Sequence, residues 1–106
     1  MSGRAVEHDP VARRYELRED GAVLGFAQYL PAGPSVIIAH SEIDAGRKGE
    51  GLGSELIRGM LEQIRADGTT VIPNCPFTAA FISRHPEFVP LVDPSLRAGF
   101  GGDAAD

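Results

Sequence analysis

Three groups of residues in this chain are of types and spacings that can do chemistry. The first is Asp44-Ala45-Gly46-Arg47-Lys48-Gly49-Glu50-Gly51-Leu52-Gly53. Glycines leave backbone N–H groups bare, and bare N–H groups at the positive end of a helix suit an anion, above all a phosphate. The alternative is a plain flexible turn. Two nucleotide motifs fail on spacing. A Walker loop needs glycine, four residues, then Gly-Lys-Ser/Thr, whereas Gly46 is followed by Arg-Lys-Gly-Glu-Gly. A dinucleotide fingerprint needs Gly-x-Gly-x-x-Gly, and Gly49-Glu50-Gly51-Leu52-Gly53 brings its third glycine one position early. The acid expected after the next strand is also missing, since that strand ends in Pro73-Asn74.

Cys75 is the second group. As the sole cysteine it makes no intramolecular disulfide, and with His8, His40 and His85 scattered it sets no zinc spacing. It reads in two ways. A lone cysteine is most often a small buried hydrophobe. Placed before Pro76 at a helix N-terminus, it is also where a helix dipole favours a reactive thiolate.

The third group is His40 and Glu42. Two residues apart on a strand, they share one face about 7 Å apart. An imidazole and a carboxylate so placed are candidate general bases; the competing reading is a solvated strand end. Ser41 points the other way and reads as structural. Arg84, ending the second helix, caps carbonyls by default or reaches a phosphate. Phe77, Phe81 and Phe88 read as core, because the chain is acidic and Arg84 alone falls among them, unlike the interleaved Lys and Arg of a base-stacking platform.

The elements that must position these residues follow from periodicity. Arg13 to Arg18 alternates, Glu19-Asp20-Gly21 signals a turn, and alternation resumes from Ala22 to Leu30, with Leu24, Phe26 and Leu30 on one face and Val23, Ala27 and Tyr29 on the other. After Pro31-Ala32-Gly33-Pro34, a third strand spans Ser35 to about Ile43 and completes a three-stranded antiparallel meander. From Ser54 to Asp67 helical spacing takes over: Leu52, Leu56, Ile57, Met60, Leu61 and Ile64 share one side, and Gly68 is the stop. Thr69 to Ile72 makes a short strand closed by Pro73, set parallel to the third. Pro76 opens a second helix running to about Ser83. Glu87 to Val92 reads as an extended, proline-limited edge, with Pro90 blunting pairing and favouring a monomer or weak dimer. Residues 1–11 and 94–106 are expected to be tails flanking one domain, 12–93.

A chain of 106 residues with 42% hydrophobic residues sustains one core without metal or disulfide staples. Its net charge of −5 repels phosphate backbones and anionic lipid, so neither nucleic acid nor membrane is an expected partner. Met1-Ser2-Gly3-Arg4 precedes no apolar block, and the expected location is cytoplasmic.

The stretch Lys48-Gly49-Glu50-Gly51-Leu52-Gly53 fits the pattern basic-or-Gln, x, x, Gly, x, Gly-or-Ala. With Ile72-Pro73-Asn74-Cys75-Pro76-Phe77 and Phe81-Ile82-Ser83-Arg84-His85-Pro86-Glu87-Phe88, it resembles the GNAT acetyltransferase superfamily, in particular its short Yjdj-type domain, over roughly residues 13–92. One departure is Lys48 where the superfamily usually has Arg or Gln; Arg47 beside it shares the charge role. The resemblance implies an α/β (α+β) domain with a mixed, mostly antiparallel sheet, whose third and fourth strands (Ser35 to Ile43 and Thr69 to Ile72) splay into an acetyl-CoA cleft. It implies that the N–H groups of Gly49, Glu50, Gly51, Leu52 and Gly53 hold the pyrophosphate with Arg47 and Lys48. The pantetheine arm runs beside Glu42 and Ile43, and its thioester ends near Asn74 and Cys75. The implied activity is N-acetyl transfer to an unidentified amine acceptor. A silent acyl-CoA-binding module and a small protein-interaction domain are the competing classes, because the chain is short of acceptor-side structure.

Overall fold

Alternating segments in the first half of the chain and helical periodicity in the middle become one sheet backed by helices in a computed structural model, which describes residues 3–44, 46 and 50–100. The strands are β1 (Arg4–Asp9), β2 (Arg14–Glu19), β3 (Ala22–Ala32), β4 (Ser35–Ile43) and β5 (Thr70–Pro73). Helix α1 (Leu52–Asp67) links β4 to β5, and α2 (Pro76–Arg84) follows. Two 3₁₀ segments, Pro86–Leu91 and Pro94–Phe100, complete the described chain. The sheet order is β1-β2-β3-β4-β5, antiparallel up to β4 and parallel between β4 and β5.

The β2–β3 turn forms as its Asp-Gly pair dictates. Asp20 and Gly21 both take positive φ, 50° and 86°, the two-residue geometry that matches strand twist. Helix α1 buries Leu52, Leu56, Ile57, Met60, Leu61 and Ile64, the six residues at helical spacing, and Gly68 ends it in the left-handed conformation. Phe81 and Phe88 join that core, whereas Phe77 is 40% exposed.

Four expectations are corrected. The meander has four strands, because the segment expected as an N-terminal tail supplies β1. Its apolar pattern is thin, and tertiary contacts hold it: Val6 packs on Gly59 of α1, Gln63 Nε2 donates to the Val6 carbonyl at 2.7 Å, and Arg4 reaches Glu19 and Glu55. At the other end, Pro94–Phe100 is a 3₁₀ turn rather than tail, anchored by Arg97 donating to the Val92 and Pro90 carbonyls, so ordered structure runs beyond 12–93 in both directions. Pro86–Leu91 is likewise a 3₁₀ segment, since proline at its start fits a helical turn; only Val92 bridges to Val71. Finally, Leu24 lies in the core with Ala27 and Tyr29, because a bulge against Leu17 and Arg18 shifts the alternation and leaves Val23 exposed.

Candidate active site

Strand β4 is the element around which the site is built, and its two edges behave differently along its length. Strand β5 covers only its first part, from Ser35 opposite Thr70 to Ile38 opposite Pro73. There the even-numbered residues face β5: Pro34 accepts from Thr70 N–H, and Ile38 from Cys75 N–H at 2.9 Å. Farther along, Asp44 N–H donates to the Leu24 carbonyl, so at this end residues 42 and 44 face β3. The switch is a bulge: Gln28 pairs with His40 and Tyr29 with Ile38, leaving Ala39 unmatched. The backbone groups of Ser41 and Ile43 therefore turn toward the side that β5 has already left. This is the splay that the resemblance implies, and it presents an unpaired strand edge to an extended, amide-bearing chain.

Cys75 closes the floor of the gap. Its Sγ lies 3.3 Å from Ser41 Oγ, the residue is 5% exposed, and it is the N-cap of α2. Burial pushes the thiol up, but the Ser41 hydroxyl, the N–H groups of Thr78 and Phe77 and the Thr78 hydroxyl outweigh it, and the net direction is down. Thr78 Oγ1 is fully buried and has no hydrogen-bond partner of normal geometry. Asn74 is exposed at the rim, its N–H donated to the Ile72 carbonyl.

The N-terminus of α1 is brought to the same place through contact. A Cβ on Gly53 would stand 2.5 Å from the Phe77 ring, so the absence of a side chain is what lets α1 and α2 start side by side. Gly51 is different. It takes φ +73° and, among the described residues, nothing lies within 4 Å of a would-be Cβ and no side chain caps the helix it begins. The first-turn N–H groups of α1 have no partner within the helix itself. Glu50 is exposed on the approach. The expected roles of Arg47, Lys48 and Gly49 lie outside the described residues.

His40 and Glu42 meet as their spacing predicts, Nε2 to Oε2 at 2.7 Å, but both are more than half exposed. Ser41 points at Cys75, so alternation puts this pair on the opposite face of the sheet. The structure thus divides the three candidate catalytic residues between two faces of one strand. On the outer face an open groove of about 480 Å³ is lined by Arg14, Gly25, Phe26, Glu42, Ile43 and Asp44, among others. Gly25 gives it depth, since a Cβ there would strike the Glu42 carbonyl. Arg14 lies over Phe26 at 4.6 Å and is held at 2.8 Å by Glu16. Burial pushes the Glu16 carboxyl up, but hydrogen bonds from Arg18 and Arg14 overcome this and hold it below the ordinary range. The tyrosines stand aside: Tyr29 Oη bonds His8 at 2.6 Å, and burial, with Tyr29 alongside, pushes Tyr15 up to about 12.

Reading the sequence alone missed Ser41 as the sulfur's partner and Thr78 as the buried hydroxyl beside it. Ser41 is placed by the Ala39 bulge, which no residue pattern announces. Thr78 had a signal in its position three after Cys75, where an N-cap's partner sits.

Comparison with known proteins agrees with this architecture. The model of the GCN5-related N-acetyl-transferase family matches residues 14–91, and the chain belongs to that family. A GCN5-like protein from Staphylococcus aureus, solved by NMR in solution, superposes with a TM-score of 0.65 at 16% identity, over 88% of this chain and 91% of that one, a likeness of fold. No curated protein matches the chain.

Proposed function

We propose that the chain transfers an acetyl group from acetyl-CoA to an amine, as a small Yjdj-type acetyltransferase. The observation that carries the reading is the unpaired edge of β4 at Ser41 and Ile43, lying between an uncapped helix N-terminus and a cysteine. Such an edge bonds the amides of a pantetheine arm, and the first turn of α1, with Arg47 and Lys48 from the preceding loop, takes the pyrophosphate.

The amine approaches from the outer groove, where Glu42 and Asp44 supply negative charge and Phe26 an apolar wall. Most of a primary amine is protonated at neutral pH, so binding beside carboxylates concentrates it and a base must then take its proton. The hydrogen-bonded Glu42–His40 pair is that base. Attack by the freed lone pair at the thioester carbonyl forms the amide bond, and the CoA thiolate leaves. Cys75 lines the thioester end of the cleft, and the amine attacks the thioester directly rather than through an acetyl-cysteine intermediate.

Isothermal titration with CoA, followed by a thiol-release assay over a panel of amines, tests this reading. Heat of binding with turnover is expected. Heat without turnover marks a silent acyl-CoA-binding module, and no heat at high micromolar acetyl-CoA leaves a protein-interaction domain. Gly51→Ala puts a methyl group into open space at a position of positive φ, a strain of about 1–2 kcal/mol. A folded variant with weakened CoA binding is expected; unchanged binding would remove the loop as the phosphate site.

A further inference from the structure

The surroundings of Cys75 are built for an anion that the transfer reaction itself does not require. Its sulfur meets the Ser41 hydroxyl at 3.3 Å and sits at the N-terminus of a nine-residue helix. Beside it, the Thr78 hydroxyl is fully buried with no hydrogen-bond partner of normal geometry among the described residues. A neutral thiol is a weak acceptor and leaves such a donor idle; a thiolate satisfies it. Cys75 is also enclosed, 5% exposed, with its sulfur against Ser41 of β4. A thin chain lying on that edge delivers its terminal sulfur there, and a branched tripeptide thiol does not.

We propose that Cys75 is a site of covalent modification by CoA: in the presence of hydrogen peroxide it forms a mixed disulfide with the CoA thiol, which blocks the cleft. The inference rests on the cleft being a CoA site, as read above. Turnover leaves the free thiol product beside this sulfur, so both partners are already in place. In the first step the Cys75 thiolate attacks peroxide, the O–O bond breaks and hydroxide leaves, giving a sulfenic acid; sulfur is oxidised by two electrons and peroxide is reduced. In the second, the CoA thiolate attacks that sulfur, the S–O bond breaks, the S–S bond forms, and the departing hydroxide takes a proton to become water. A dithiol reverses the linkage.

The experiment begins with titration of CoA into the reduced full chain, which reports the cleft independently. The protein is then treated with hydrogen peroxide plus CoA, acetyl-CoA or glutathione and read by intact mass. The expected result is one added CoA less two hydrogens with CoA, released by dithiothreitol and absent from Cys75→Ser. Acetyl-CoA, lacking a free thiol, gives no such adduct, and glutathione reacts at least tenfold more slowly. Thr78→Val and Ser41→Ala, each removing one donor, are expected to slow adduct formation about threefold, because the lost thiolate fraction is partly offset by higher intrinsic nucleophilicity. Binding of CoA without an adduct, or glutathione reacting as fast, overturns the inference and leaves the transferase reading intact. Absence of CoA binding in the titration overturns both.

Discussion

Replacing Thr78 by valine should make the protein more stable and its cysteine less reactive, and the opposite signs are what make the variant informative. The two side chains are nearly equal in size, and helix propensity separates them little. What changes is a hydroxyl that is fully buried and unpartnered. An unsatisfied buried polar group costs about 1–3 kcal/mol, so Thr78→Val is expected to gain about 1 kcal/mol or more. On a domain of this size that raises Tm by about 4–8 °C. The same change removes one of the donors that favour the Cys75 thiolate. Because the thiol is held below its ordinary value in the folded chain, it adds stability as pH rises through that lowered value toward the ordinary thiol range. That contribution is lost as pH falls again. In Thr78→Val the rise should shrink and move to higher pH, and iodoacetamide labelling at neutral pH should slow about threefold. Thermal unfolding from pH 6 to 9, paired with labelling rates, measures both. A variant with lower Tm and an unchanged labelling profile would show that the hydroxyl neither lacks a partner nor serves the sulfur.

Glu42→Gln should lower turnover by about 10²–10⁴ through lost proton removal while CoA binding holds; Cys75→Ser should lower it only modestly, and a larger loss with Cys75→Ser, accompanied by an acetyl adduct on the unaltered chain, would reverse the order of attack. Gly59→Ala places a methyl group against Val6, and the resulting overpacking should cost about 1–3 kcal/mol by denaturant unfolding, with faster amide exchange in Arg4–Asp9 than elsewhere in the sheet. Glu16, its carboxyl held low by Arg18 and Arg14, contributes stability above the ordinary glutamate pKa that is lost as pH falls through the lowered folded value; Glu16→Gln should therefore flatten the acid limb below about pH 4 in a urea titration series.

Local physics in the sequence was enough for the elements whose cause is local. The six apolar residues of α1 lie at helical spacing, Asp20-Gly21 suits only a tight turn, and Pro76 with Gly68 punctuates the helices, so all of these were legible without coordinates. The glycine pattern from Lys48 to Gly53, taken with the Ile72–Phe77 and Phe81–Phe88 segments, likewise pointed to the family whose model matches residues 14–91. Elements held by distant contacts were not legible. Strand β1 exists because Val6 finds Gly59 and Gln63 on a helix more than fifty residues away, and its own six residues carry too little alternation to announce it. The site shows the same division. That His40 and Glu42 share a face follows from a period of two, whereas their separation from Cys75 depends on one unmatched residue, Ala39, in the pairing of β4 with β3. A bulge arises from how two strands settle against each other, so only the tertiary structure could decide that Ser41 faces the sulfur and the base faces the opposite side.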